Sequence, residues 1–500
     1  MSECSGYRGA DDGATTESEP PMSATALLPA RTYELAPAPP RLVGDPVLGN
    51  IRAVMGDTLG FLVKTQAEYG DVVRCDFGPM VAHLVSSPSG VRHVLQDNHR
   101  AYDKQTRGYL KLRGLLGQGL LTSEGDFWKR QRRIAQPAFH RDHLAAFADR
   151  FVIEGEAQLE TWAKPETWAQ TGPGSTAKRD LSADMMAVTM RIVGHTLLST
   201  DVSDDAATVG HALHVVLEEM NKRIHQPFGF VEWLPVPRTI RYLRAKRALD
   251  LIVMRLISER RQRLERTPSE APVDLLTMLM SMRDADTGEG MTDRQLRDEV
   301  LTLFLAGHET TANALTWTYF HLAQNPAVLT RLRAEVDSLL GDRRPTLQDV
   351  PRLSYAKAVL QESMRLHPPA WLIGRRALEP DVIDGYRVPK GSLVLLSPYV
   401  VHRHPAHWPA SETFDPSRFL DGRAPEPKSF QYFPFGGGPR VCIGTQFAMM
   451  EATLLLSLFV RSVDISLAVA PEAVKLEPLI TLRPKGGLPV TLKRREHPAR

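Results

Sequence analysis

The longest helical pattern in this chain runs from about Asp293 to Ala323, and a helix of that length dictates the scale of whatever packs around it. Thr292-x-x-Gln295 forms a capping box at its start. Asn325-Pro326 ends it, because proline has no N–H to donate and disfavours helix in the residue before it. The 500 residues, 43% hydrophobic, are enough to bury such a helix in one large core. Further helical patterns fill residues 51 to 330, broken at Thr171–Thr176, Pro227–Pro237 and Arg283–Gly290, with few strand signals among them. After residue 372 the texture changes to short β-like pieces and turns, such as Asp384-Gly385 before Tyr386 and the run Ser392 to Val401. One more helix follows Cys442, and short strands close the chain. The expected fold is mainly α with a minor β portion, in a single domain over residues 41–500. Residues 1–40 hold six prolines and only two aromatics, Tyr7 and Tyr33, which predicts a disordered N-terminal tail.

Composition narrows the function by exclusion. Basic and acidic residues nearly cancel, 61 against 58, so no global field favours nucleic acid. Three cysteines, Cys4, Cys75 and Cys442, form no CxxC pair and argue against a disulfide framework or a zinc ribbon. No run approaches the ~20 apolar residues that span a bilayer, and the acidic N-terminus has no apolar signal core, so a cytoplasmic location without a transmembrane anchor is expected. Neither a Walker loop nor a GxGxxG fingerprint is present.

Phe435-Gly436-Gly437-Gly438-Pro439-Arg440-Val441-Cys442-Ile443-Gly444 is the most informative segment. Three glycines allow a tight turn and close approach to a flat ligand, and bare amides can point at a sulfur. The helix that begins at Thr445 places a positive end beside Cys442, which favours the thiolate and hence metal ligation. In the middle of the long helix, Ala306-Gly307-His308-Glu309-Thr310-Thr311 breaks local rules. Glycine there costs ~1 kcal/mol, and an acid beside a hydroxyl in an apolar stretch adds a desolvation cost, so the segment marks a site.

The decapeptide resembles the haem-binding loop of the cytochrome P-450 superfamily, soluble bacterial type, with Cys442 as the axial iron ligand. The resemblance implies the cytochrome P-450 fold and matches four further motifs. Glu362-Ser363-Met364-Arg365 corresponds to the structural ExxR pair, with Arg418 as the third member of its network. Ala306 and Gly307 match the oxygen groove, with Thr310 touching bound dioxygen and Glu309 relaying protons. His308 is expected to be a packed or substrate-side neighbour and not a ligand. Trp128 and Arg132, with Arg440, are similar to the family's propionate-binding residues, and Phe435 lies in the same haem contact. Arg376 is the expected fourth propionate partner, with Arg375 as its rival.

The function implied by the resemblance is that of a haem-thiolate monooxygenase that uses haem b, dioxygen and NAD(P)H-derived electrons. With no flavin or iron–sulfur signature in the chain, the electrons are expected from a ferredoxin or flavodoxin and its reductase. Lys129, Arg130 and Arg133 are a candidate docking patch, and the enzyme is expected to be a monomer. The substrate is a hydrophobic small molecule, a fatty acid, terpenoid or polyketide, oxidised in secondary metabolism by hydroxylation or epoxidation. Its expected pocket residues are Tyr102, Leu303, Phe304, Ala306, Gly307, Ala370, Trp371, Leu372, Ile373, Leu479 and Ile480, with Pro227–Pro235 as a lid or membrane-touching loop. The alternatives are a peroxide-driven peroxygenase and a non-catalytic haem sensor. Glu309 and Thr310 argue against both.

Overall fold

The structure, a computed structural model, describes residues 30–163, 176–199, 236–270 and 272–495, with residues 212, 215, 216, 218–220, 222 and 223. The principal helices are α1 (Ala30–Leu35), α2 (Thr58–Tyr69), α3 (Gly125–Ala135), α4 (Ala148–Ala163), α5 (Leu181–Leu198), α6 (Asp293–Gln324), α7 (Ser354–Leu366) and α8 (Thr445–Ser462). Helix α6 is the long helix, and both halves of its capping box form: Thr292 Oγ1 accepts from the Gln295 N–H, and Gln295 Oε1 from the Thr292 N–H. At 1.5 Å per residue it is about 48 Å long. Most of its side chains from Leu296 to Leu322 are buried, so it runs through the core instead of lying on it.

Helix α5 packs closest against α6. At Gly307 an added Cβ would lie 3.0 Å from Val193 Cγ2, which is why the helix tolerates a residue of poor propensity there. Thr189 Oγ1 donates to the His308 carbonyl at 3.0 Å in the same contact. Helices α4 and α8 close the core from behind, with the Trp162 and Phe459 rings 5.0 Å apart.

The β portion is larger than the sequence pattern predicts, because four strands precede residue 330. They are β1 (Val72–Phe77), β2 (Met80–Val85), β3 (Tyr102–Asp103) and β4 (Thr176–Asp180). The later strands are β5 (Ile373–Ala377), β6 (Asp381–Ile383), β7 (Tyr386–Val388), β8 (Leu393–Leu396), β9 (Val463–Leu467), β10 (Leu476–Pro478), β11 (Leu482–Pro484) and β12 (Pro489–Arg494). The main sheet has the order β1-β2-β8-β5-β3, in which β2 and β8 are parallel and the other pairs antiparallel. The β1–β2 hairpin turns at Gly78-Pro79, a breaker between two β-rich runs and thus a strand signal inside a region of mostly helical pattern. Residues 30–40, expected in the tail, are also ordered. Helix α1 forms, the Pro37 carbonyl accepts from the Arg387 N–H, and the Pro40 carbonyl from the Arg74 N–H. The rest of the expected tail and the lid at Pro227–Pro235 lie outside the described residues.

Glu362 and Arg365 on α7 are both 0% exposed. Arg365 Nε and Nη2 donate to the two carboxylate oxygens at 2.7 and 2.9 Å. Its remaining N–H groups donate to the carbonyls of His402, Ser411 and Thr413, and Glu362 Oε1 accepts from the Asp415 N–H at 2.8 Å. Arg418 completes the expected trio, with Nε 3.5 Å from the same oxygen. Burial pushes the Glu362 carboxyl above the ordinary range, while Arg365, the Asp415 amide and Arg418 hold it down. His402 carries the connection onward, since its Nε2 accepts from the Phe433 N–H at 2.9 Å, where the cysteine loop begins. A buried pair of this kind adds little net stability, but removing one partner strands the other charge. Glu362→Ala is therefore expected to lower the unfolding free energy by about 3–5 kcal/mol in urea titration, with Arg376→Ala costing less than about 1 kcal/mol.

Candidate active site

The cysteine loop is shaped by its own backbone. The Gly436 N–H donates to the Phe433 carbonyl at 2.9 Å and the Cys442 N–H to the Phe435 carbonyl at 3.0 Å. Gly438 sits at φ +62°, and a Cβ there would fall 1.8 Å from the Leu95 carbonyl, so no other residue fits. That carbonyl belongs to a π-helical turn, His93–Asp97, which the loop packs against. Cys442 opens onto a cavity of about 1410 Å³. The expectation of a favoured thiolate is met only in part. The Gly444 amide, the Thr445 hydroxyl, Arg132 and Lys104 all pull the thiol down, yet burial outweighs them and pushes it up.

Across the cavity stands α6, presenting Leu303, Ala306, Gly307, Glu309, Thr310 and Thr311. Thr310 Oγ1 donates to the Ala306 carbonyl at 2.6 Å, a back-bond that leaves its lone pairs facing the cavity. Glu309 Oε1 accepts from Thr481 Oγ1 at 2.7 Å, which in turn accepts from Asn313 Nδ2 at 3.0 Å. His308 is buried and turned aside, its Nδ1 2.8 Å from the Phe304 carbonyl, as expected for a packed neighbour. Phe304 does not line the cavity. One residue beyond Leu303 is a rotation of ~100°, and its ring turns into the core 5.8 Å from His308.

One end of the cavity is cationic. Trp128 and Arg132 on α3, Arg440, Arg375 and Lys104 line it together. The Arg440 guanidinium stacks 3.6 Å from the Trp128 ring centroid and pairs with Glu124 at 2.6 Å. Lys104 is 7% exposed and gives one hydrogen bond to the Leu121 carbonyl. Burial first, then Arg375, Arg440 and Arg132, drive its ammonium well below the ordinary lysine range. Three arginines and a buried lysine gathered around the one carboxylate of Glu124 suit an anionic occupant, whose charge would also hold the Lys104 proton in place.

The expected Arg376 is not part of this group. Side chains alternate along β5, so Arg375 points into the cavity at 7% exposure while Arg376 points out at 39% and pairs with Asp103 at 2.5 Å. The rival Arg375 takes the place. Lys104 is a member of the group that the sequence motifs do not announce, because it lies in a polar stretch, Asp103 to Arg107, that matches none of them. Its only local signal is a lysine two residues beyond a buried tyrosine.

Ala370, Trp371, Leu372, Ile373, Leu479 and Ile480 all line the cavity as expected. The Trp371 indole donates to the Leu479 carbonyl at 2.9 Å and ties the two segments together. Tyr102 does not line it. Its hydroxyl donates to Asp381 at 2.5 Å, on the far side of the sheet, where His93 and Asn98 also bond that carboxylate. The expected docking patch is neutralised within the chain. Lys129 pairs with Asp126, Arg130 with Glu289, and Arg133 with Asp284 and Asp286.

The family model described as cytochrome P450 matches residues 37–489. The chain belongs to the cytochrome P-450 family. It is 39% identical to cyclooctatin synthase of Streptomyces melanosporofaciens, over 83% of this chain and 87% of that protein. It is 36% identical to cyclooctat-9-en-7-ol 5-monooxygenase of the same organism, over 86% and 89%. It is 32% identical to the chloroplastic protein lutein deficient 5 of Arabidopsis thaliana, over 90% and 76%. The chain is thus a cytochrome P-450 monooxygenase, which implies haem iron and dioxygen. The residues present fit a haem: a thiol at the base of a glycine cradle, a cavity above it and a surplus of buried cations for the propionates. Among the described residues no helix is long and apolar enough to cross a membrane.

Arg375→Gln is expected to weaken haem binding about tenfold, the equivalent of one lost charge-assisted hydrogen bond, while Arg376→Gln leaves it unchanged. Haem transfer to a competing apoprotein measures both.

Proposed function

We propose that this cytochrome P-450 hydroxylates a cyclic terpenoid, with haem b as its cofactor, Cys442 as axial ligand and Glu309 and Thr310 as the catalytic pair. The observation that carries this reading is the apposition of Thr310 and Cys442 across a cavity walled largely by aliphatic side chains: Leu303, Ala306, Leu372, Ile373 and Ile480 among them. Bound haem iron supplies the activation of dioxygen. The protein supplies everything around that event. Cys442 would donate electron density to the iron, and Trp128, Arg132, Arg375, Arg440 and Lys104 would hold the haem carboxylates. Thr310 offers a hydroxyl at the groove, whose hydrogen is parked on the Ala306 carbonyl until an acceptor takes it. Asn313 and Thr481 hold the Glu309 carboxylate in place, and Glu309 is the group that can take up a proton and pass it toward Thr310, the next residue of the helix. The apolar walls exclude bulk water, which strengthens these contacts.

An apolar cavity with few fixed polar groups suits a compact hydrocarbon or monoalcohol. The name cyclooctat-9-en-7-ol 5-monooxygenase, borne by a relative, supports the same choice. The electrons come from a separate ferredoxin or flavodoxin, the protein acts as a cytoplasmic monomer, and the oxidation belongs to secondary metabolism. A difference-spectrum screen of cyclic terpenes, fatty acids and macrolides tests the substrate class. Cyclic terpenes are expected to give the largest high-spin shift, and a response confined to fatty acids would overturn the assignment. Thr310→Ala is expected to cut product formation by on the order of 10²-fold with haem binding intact, its electrons appearing as peroxide or water.

A further inference from the structure

The cysteine loop rests on a second support besides the network of Glu362 and Arg365. The π-helical turn His93–Asp97 closes with the Asn98 N–H donating to the His93 carbonyl at 2.8 Å, five residues back. Such turns are rare and occur mostly singly, frequently at functional sites. Its backbone is the bed of the loop. The 1.8 Å approach that restricts position 438 to glycine is to the Leu95 carbonyl, and Gln96 Cα lies 3.1 Å from the same point. One residue earlier, Gly437 lies against the Phe430 ring, whose Cε1 is 2.1 Å from where a Cβ would sit. Val94, Leu95, Phe430 and Phe433 share one buried apolar cluster with Tyr102 and Ile383. A shift of the turn therefore shifts the loop.

A single carboxylate oxygen holds both ends of that turn. Asp381, at the start of β6, is buried, and its Oδ2 accepts from Asn98 Nδ2 at 3.0 Å and from the Tyr102 hydroxyl at 2.5 Å. His93 Nε2 lies 2.8 Å from the same oxygen. An ionised carboxylate only accepts, so His93 Nε2 carries the hydrogen of that bond. His93 and Asn98 are the two residues joined by the closing bond of the π turn, so Asp381 pins the turn where it opens and where it ends. Burial works to raise the Asp381 carboxyl, but His93, Tyr102 and the Val382 amide outweigh it and leave it below the usual range. Burial also opposes charge on His93, yet Asp381, with Asp97 and Asp384 beyond it, raises the imidazole above its ordinary value. Asp97 pairs with Arg92, Asp384 accepts from the hydroxyls of Ser87 and Ser89, and Glu379 stands near Tyr102. The His93 side chain is 28% exposed and so exchanges protons with solvent.

We propose that Asp381 is a positioning residue for Cys442: by tying His93 and Asn98 to one oxygen it fixes the π turn on which the cysteine loop lies, and so keeps the sulfur in place for the iron. This rests on the reading of Cys442 as the axial ligand. The hold depends on pH through His93, because a charged imidazole makes the stronger bond to Asp381. That contribution is complete below the ordinary histidine value of about 6.5 and is lost as pH rises through the raised value of the folded protein. Asp381, held low, stays ionised throughout. Protonation of the Cys442 thiol acts in the opposite sense, since it would release the sulfur as pH falls.

The test follows the red-shifted Soret band of the reduced carbonyl complex of the haem-loaded enzyme in sub-denaturing urea, with tryptophan fluorescence reporting unfolding. Asp381→Ala is expected to shorten the lifetime of the band about tenfold before fluorescence changes, the equivalent of one lost charge-assisted hydrogen bond. Asp381→Asn, which keeps an acceptor, is expected to shorten it less, and Arg376→Gln, on the neighbouring strand, not at all. In the wild type the lifetime is expected to shorten as pH is raised from about 6 to about 9, a dependence that vanishes in His93→Gln and Asp381→Asn. If Asp381→Ala fails to fold, Tyr102→Phe and His93→Gln decide by the same lifetime. Wild-type lifetimes in the variants, loss of the band only together with unfolding, or a lifetime that shortens toward acid alone overturns the proposal. Survival of the band in Cys442→Ser would remove the ligand assignment itself. If Cys442→Ser loses the band and Asp381→Ala keeps the wild-type lifetime, only the positioning role falls.

Discussion

The buried pair of Glu362 and Arg365 is the constraint on which the rest of the active site depends. Arg365 spends every donor it has, two groups on Glu362 and the remainder on carbonyls of the segment from His402 to Thr413. That segment has little regular structure of its own, so its path is set by these bonds. From His402 the connection passes to Phe433 and into the glycine turn that presents Cys442. An ion pair that contributes little net stability thereby fixes where the sulfur stands relative to α6.

Facing that sulfur, the cavity divides its labour by polarity. Its cationic end gathers Arg132, Arg375, Arg440 and Lys104 around the single carboxylate of Glu124, an arrangement that an anionic group would complete. Elsewhere the walls are largely aliphatic, with a polar strip at Glu309 to Thr311 on α6 and Thr481, and scattered polar side chains such as Thr106, Tyr109, Thr196 and Thr302. In the function proposed above, charge anchors the cofactor, apolar surface takes the substrate, and the short polar strip handles protons.

Much of this architecture is legible in the sequence where the information is local. The capping box of α6, its proline stop, the i,i+3 spacing of Glu362 and Arg365 and the glycines before Cys442 are encoded within a few residues of each other. The misses share a different cause. Choosing Arg375 over Arg376 requires the register of β5 against β8, since a shift of one residue exchanges the two faces. Phe304 and Tyr102 lie near cavity residues in the chain, whereas helix rotation and sheet sidedness carry both away from the cavity in space. The β1–β2 hairpin needs β8, some 300 residues later, to complete its sheet. Of the basic residues Lys129, Arg130 and Arg133, Lys129 pairs with Asp126 on its own helix, whereas the partners of Arg130 and Arg133, namely Glu289, Asp284 and Asp286, come from a loop distant in sequence.

The whole mechanism turns on Cys442 as the iron ligand. The most direct measurement is the absorption spectrum of the reduced carbonyl complex in the wild type and in Cys442→Ser, both reconstituted with haem. The wild type should show the red-shifted Soret band of thiolate ligation, and the variant should lose it while still holding haem through the cationic end of the cavity. Survival of that band in Cys442→Ser would contradict the ligand assignment and, with it, the mechanism built upon it.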